Sequence, residues 1–182
     1  MTNYGKKIGN ALQAVRRMHS DASRLLQDCD GTIGKGRASI YRSSATRDLT
    51  HSVRANHYMA EGLYRLYDAA DEDPGLVEGV SVYFFDEDRL VDEPVLIVGQ
   101  IKYHAEPDSP IKASSKEWDL WDAFFTWSDQ RVFNEVLVAL LDDNGRIERV
   151  TLIAVPLYSV DNMNVVESLM KRVRDHTSSE IR

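Results

Sequence analysis

Apolar and polar positions form their clearest pattern between residues 133 and 159, where two apolar runs are joined by Asn144-Gly145. This dipeptide is typical of a two-residue hairpin, because a type I′ turn needs φ > 0 at both central residues. A turn centred there places Val136 opposite Ile153 and fixes the register of the whole pair. Since both faces of the two runs are mostly apolar, we predict a hairpin that is central in its sheet and covered on both sides.

A second hairpin is predicted upstream, from strands over residues 79–86 and 93–104 with a short acidic link. Short links favour antiparallel pairing. The second strand has an apolar side, and its other side turns polar at Gln100, Lys102 and His104. We expect this polar side to be half-exposed. The two hairpins together predict an antiparallel sheet of about four strands.

Apolar spacings of three and four predict four helices around this sheet. They cover residues 5–29, residues 46–70, a short aromatic stretch opening at residues 114–117, and the residues after a cap at Asp161 or Asn162. The order of elements does not alternate strands with long crossover helices, so the predicted class is α+β. We expect one domain over residues 1–176 and a polar tail over residues 177–182.

Composition narrows the class of protein further. The chain has 182 residues and one cysteine, Cys29, which excludes an internal disulfide and a cysteine-based zinc site. No apolar run has signal-peptide or membrane-helix length. We therefore expect a cytoplasmic protein that does not associate with a membrane.

Charge is distributed unevenly along the chain, although the net charge is only -7. Residues 1–66 hold 11 Lys+Arg against 5 Asp+Glu, whereas residues 67–182 hold 11 against 24. The basic part predicts contact with an anion or an acidic partner. The candidate residues are Lys35, Arg37, Arg42, Arg47 and Arg54. The alternative is that the basic and acidic parts attract each other within the fold or across a dimer.

The short aromatic helix is apolar nearly all round. A helix of this kind is either deeply buried or shared with a partner. Large aromatic side chains are also enriched in the cores of protein interfaces. The residues predicted to bind a partner are Trp118, Trp121, Phe125 and Trp127.

The polar strand positions resemble the nuclease superfamily built on an Asp followed by an (Asp/Glu)-x-Lys strand. The resemblance implies that Asp86, Gln100 and Glu61 hold Mg²⁺ and that Lys102 polarises the attacking water. Gln100 departs from the pattern, because a neutral amide is a poorer ligand for a hard cation than a carboxylate. The acidity of the region also disfavours nucleic acid as a partner.

The last 50 residues resemble the back half of secretion-chaperone-like proteins, through the Asn-Gly hairpin, the strand end at residues 155–159 and the helix that follows. Those proteins are small dimeric α+β domains that bind other proteins and catalyse nothing. The two leading helices depart from that family's single one. We therefore predict a non-catalytic protein-binding subunit or adaptor that forms homo-oligomers, without metal or cofactor. The alternative prediction is a Mg²⁺-dependent nuclease or phosphodiesterase.

Overall fold

The computed structural model describes residues 4–37, 39–40, 45–46, 62–69, 73–84, 93–104, 119–125, 132–140 and 146–180. Their elements follow one another along the chain as α1 (Tyr4–Thr32), β1 (Ala45–Thr46), β2 (Gly62–Asp68), β3 (Leu76–Tyr83), β4 (Val95–Tyr103), α2 (Asp119–Phe125), β5 (Val136–Leu140), β6 (Ile147–Pro156) and α3 (Met163–Glu180). A 3-10 turn at Leu157–Ser159 connects β6 to α3.

The strands form one antiparallel sheet in the order β1-β2-β3-β4-β6-β5. This confirms the predicted α+β class. The register of the last hairpin is also confirmed, because Val136 pairs with Ile153 and Leu140 with Arg149. Its turn residues, Asn144-Gly145, lie outside the described residues. The antiparallel pairing of β3 with β4 is confirmed as well.

Two sequence expectations need correction. Residues 62–68 form β2 instead of the end of a second helix. The spacing of their apolar side chains fits a helix and a strand equally well. These residues form a strand because each of them pairs with a residue of β3. Thr46, where the predicted helix was to begin, lies in β1, and residues 47–61 and 70 are outside the described residues. The last hairpin is central only in part, because β6 lies between β4 and β5 while β5 is the outer strand.

Both faces of the sheet are covered, which explains why β3 and β4 are buried almost throughout. On one face α1 contributes Leu26 and Cys29, and α3 contributes Met170 and Val173. On the other face lies α2 with Phe124. The sheet is therefore the middle layer of three, and α1 and α3 share one of its faces.

The cap of α3 is confirmed, since Asn162 Oδ1 accepts a 2.9 Å hydrogen bond from the Asn164 amide. The helix continues to Glu180, beyond the boundary we expected at residue 176. Ser178 and Thr177 hydroxyls hydrogen-bond to carbonyl oxygens one turn earlier. The first part of the expected polar tail is therefore helical.

A pair of glycines lets α2 approach the sheet closely. Gly79 on β3 lies directly opposite Gly99 on β4. A Cβ at Gly99 would lie 2.8 Å from Leu120 Cδ2 and 2.9 Å from Leu152 Cβ. A Cβ at Gly79 would lie 2.8 Å from Leu120 Cδ1. The space left by the two missing side chains is filled by Leu120.

Gly99→Ala should destabilise the fold by about 1–3 kcal/mol, because the added methyl has no room in a packed core. Gly9→Ala is the matched control: nothing lies within 4 Å of its Cβ position, and alanine favours a helix by roughly 0.5–1 kcal/mol over glycine. Urea unfolding of the two variants measures both effects. If the two variants were equally stable, the packing of Leu120 would not depend on the missing side chain at Gly99.

Candidate functional site

Glu78 on β3 is fully buried, and three other segments hold its carboxylate. Arg174 of α3 donates to both carboxylate oxygens, with N–O distances of 2.6 and 2.8 Å. Arg37, in the loop after α1, donates at 2.7 Å, and Gln100 of β4 donates its amide at 3.1 Å. We call these four residues the Glu78 cluster. It connects α3, β4 and the loop after α1 to β3.

The donors around Glu78 determine its ionisation. Burial by itself would raise the pKa of this carboxyl group. The hydrogen bond and charge of Arg174, together with hydrogen bonds from Gln100 and Arg37, outweigh burial and lower the pKa below 4.5. Glu78 is therefore ionised near neutral pH. Because cationic donors occupy its oxygens, it is suited to holding segments together and not to proton transfer or metal binding.

The structure gives Arg37 an internal role. Besides Glu78, its guanidinium donates to the carbonyl oxygens of Gly34, Ile33 and Asp68. Lys35 of the same loop is exposed and has a positive φ of 51°. The other basic residues predicted to contact an acidic partner, Arg42, Arg47 and Arg54, lie outside the described residues.

Gln100 and Lys102 lie on the face of β4 that α1 and α3 cover, and both form contacts within the fold. Gln100 is buried, contrary to the expectation for this polar face, whereas Lys102 is partly buried and His104 is exposed. Lys102 forms an ion pair with Asp73 and donates to the Pro74 carbonyl oxygen, both in the turn between β2 and β3. The fold therefore uses the amide and the ammonium group that the nuclease resemblance would assign to chemistry.

The proposed acids of the nuclease hypothesis, Asp86 and Glu61, lie outside the described residues. Lys102 pairs with Leu76 at the start of β3. Phe84, the last described residue before Asp86, lies eight positions further along, or about 26 Å of strand. Across the described ranges, no group of three or more His, Cys, Asp or Glu side chains could hold a metal ion.

The described part of the aromatic helix belongs mainly to the core. Phe125 is only 4% exposed and packs against Phe124 in the core. Trp121 is half-buried and stacks against Phe125 and Tyr83, with ring centroids 5.1 and 5.9 Å apart. The other two predicted partner-binding residues, Trp118 and Trp127, are not among the described residues.

A buried acid that the sequence reasoning missed fixes this helix in place. Asp119 at the start of α2 is fully buried and accepts two hydrogen bonds from Arg146, at 2.8 and 2.7 Å. It also accepts one from the Tyr103 hydroxyl. An aspartate between two large apolar residues, in a helix apolar nearly all round, was the available sequence signal.

Among the described residues, Tyr158 and three large apolar side chains on the first half of α1 are exposed. Residues 4–14 are all exposed, and they extend α1 by about 16 Å at 1.5 Å per residue. We call this segment the α1 overhang. Tyr4, Ile8 and Leu12 form its apolar stripe and are 71%, 61% and 65% exposed. The apolar spacing that predicted this helix includes Ile8 and Leu12 but not Tyr4, and it does not indicate which half of the helix is covered.

A cleft of about 450 Å³ lies beside the second half of α1, between that helix and the connection from β6 to α3. We call it the α1–α3 cleft. Its apolar lining consists of Met18, Ala22, Leu25, Leu157, Val160 and Met163. Its polar lining contains the acidic residues Asp21, Asp28 and Asp161, together with Arg24 and Asn162. The cleft is therefore apolar with a mainly acidic rim.

Cys29, on this half of α1, points into the core and is fully buried. Its Sγ donates a 3.2 Å hydrogen bond to the Leu25 carbonyl oxygen. Burial, followed by the charges of Asp30 and Asp28, raises the pKa of the thiol to about 12. The thiol is therefore protonated and unreactive near neutral pH.

Comparison with protein-family models, curated proteins and solved structures gives no match to this chain. Within the part of the chain that the structure describes, no helix is both long and apolar enough to span a membrane.

Glu78→Gln should destabilise the fold by about 3–5 kcal/mol near neutral pH, because it leaves two partly buried guanidinium groups without their carboxylate. The pKa of Glu78 is lowered in the folded state, so its stabilising contribution is present above pH 4.5 and is lost as the pH falls through the folded-state pKa. The difference between wild type and Glu78→Gln should therefore shrink in acid. Urea unfolding over a series of pH values measures it.

Glu167→Gln is the control for that series, since Glu167 is exposed on α3. It should change stability by no more than about 0.5 kcal/mol at any pH. A Glu78→Gln effect as small as that of Glu167→Gln would mean that the Glu78 cluster does not hold the fold together.

Proposed function

We propose that this chain is a non-catalytic protein-binding module that self-associates through the α1 overhang. The observation that carries the proposal is the aligned exposure of Tyr4, Ile8 and Leu12 on one helix face. Three large apolar side chains at a spacing of four residues form the type of stripe that one helix presents to another protein. On the second half of α1, Leu26 and Cys29 are buried in the core, whereas Met18 and Leu25 are partly buried and line the α1–α3 cleft.

The internal charges support binding over chemistry. Glu78 accepts hydrogen bonds from three side chains and Asp119 from two. Burying a charge is costly unless it is paired and hydrogen-bonded, and these contacts meet that requirement. Glu78 and Asp119 are thus committed to stability, while the exposed stripe of α1 is apolar.

The energy of burying the overhang is of the right size for association. Two copies that bury Ile8 and Leu12 gain about 6–12 kcal/mol from four side chains, at about 1.5–3 kcal/mol each. Lost translational and rotational freedom costs roughly 4–15 kcal/mol. The stripe alone therefore gives marginal association, and a stable complex needs a second apolar surface to receive it.

The double variant Ile8→Ser, Leu12→Ser should shift the protein from oligomer to monomer, because it removes the apolar area that association buries. Light scattering or sedimentation over a range of protein concentrations measures the mass. Thermal unfolding should change little, since both side chains are more than 60% exposed and their removal leaves no cavity.

Asn10→Ser is the matched control, since Asn10 is exposed and points about 160° away from both Ile8 and Leu12 around the same helix. It should leave the oligomer intact. A wild-type protein that stays monomeric at every concentration, or an oligomer unaffected by the double variant, would contradict the proposal.

A further inference from the structure

We infer that the α1–α3 cleft of one copy receives the α1 overhang of a second copy. The two α1 helices of the pair then lie antiparallel, each with its first half in the other copy's cleft. This inference rests on the proposed self-association and names the surface that receives the overhang. Each copy donates one overhang and offers one cleft, so the two contacts are equivalent and the pair closes with twofold symmetry.

The lengths of the two surfaces agree. The overhang spans residues 4–14, and α1 lines the cleft from Met18 to Asp28, so each segment has eleven residues. At 1.5 Å per residue both are about 16 Å long. Antiparallel pairing with the twofold axis near Val15 places Leu12 beside Met18 of the second copy and Ile8 beside its Ala22. In this register the overhang lies beside residues 16–26 of the second copy and covers the α1 side of the cleft as far as Leu26.

The charges agree with the antiparallel direction. Residues 4–20 contain four Lys and Arg residues and no Asp or Glu, whereas Asp21, Asp28 and Asp161 lie on the rim of the cleft. Antiparallel pairing places Lys7 level with Ser23 of the second copy, two residues or about 3 Å along the helix from its Asp21. Parallel pairing would instead place Lys7 next to Lys7, and like charges at an interface oppose association.

The lining of the cleft suits a helix that carries large apolar side chains. Leu25, Leu157 and Val160 provide apolar surface, and Met18 and Met163 have flexible side chains that adapt to an incoming group. Burial of the overhang alone gives only marginal association, and these cleft residues provide the second apolar surface that a stable complex needs. In the pair, both the exposed stripe and the open cleft are covered at once.

Engineered cysteines test the direction and register of the pair. Cys29 is a suitable background, because its thiol is buried and its pKa is near 12. With oxidised glutathione as the electron acceptor, Val15→Cys should cross-link to itself, since residue 15 lies near the twofold axis. A mixture of Leu12→Cys and Met18→Cys proteins should give a mixed disulfide dimer. Ile8→Cys alone should cross-link little, whereas a parallel pair would cross-link it readily.

A charge exchange tests the contact between Lys7 and Asp21. Lys7→Glu and Asp21→Lys should each weaken self-association about fivefold or more, because each symmetric pair loses two ion pairs. The variant that carries both changes should recover affinity. Lys6→Glu is the matched control, since Lys6 points about 100° away from Lys7 around the helix, and it should have a smaller effect.

The outcomes separate this inference from the proposed function. A protein that is monomeric at all concentrations overturns the self-association and the pairing together, and leaves the stripe to a different partner. A protein that self-associates while Ile8→Cys cross-links as fast as Val15→Cys, or while the mixed dimer is absent, overturns the antiparallel pairing alone. Failure of the double charge variant to recover affinity removes the Lys7–Asp21 contact and the register with it.

Discussion

The fold depends on one buried carboxylate more than on any other single group. Glu78 sits in a strand that is apolar on both faces, where an unpaired charge would be prohibitively costly. Its two arginines come from outside the sheet, one from the loop after α1 and one from α3. The apolar contacts of α1 and α3 determine how strongly these helices bind the sheet. The two guanidinium groups determine the position of each helix along the sheet. Shifting either helix would separate a charge from its partner.

The sequence predicted those parts of the fold that local chemistry determines. The Asn-Gly turn defined the register of the last hairpin to the residue, and Asn162 marked the start of α3. It misassigned β2, because the spacing of Leu63, Tyr64, Leu66 and Tyr67 satisfies both periods and only the neighbouring strand decides. Information about a neighbour is not contained in a local pattern.

The candidate site was less predictable for the same reason. The sequence drew attention to exposed-looking polar residues and to aromatic ones, yet Gln100 and Phe125 are both buried. A glutamate inside the apolar strand Leu76–Tyr83 was a usable signal for the Glu78 cluster, since such a residue needs partners. No comparable signal existed for the α1 overhang, because a helix stripe has the same spacing whether or not something covers it.

The position of Arg174 in the chain has a consequence for synthesis on the ribosome. Arg174 follows Glu78 by 96 residues, whereas Arg37 precedes it by 41. At roughly 5–20 residues per second, Glu78 emerges about 5–20 s before Arg174, the second arginine that pairs with its carboxylate. During that interval Glu78 has half of its cationic partners, so a nascent sheet that closed early would bury an underpaired charge. The Glu78 carboxylate thus delays closure of the sheet face that α1 and α3 cover until α3, the last helix, has been made.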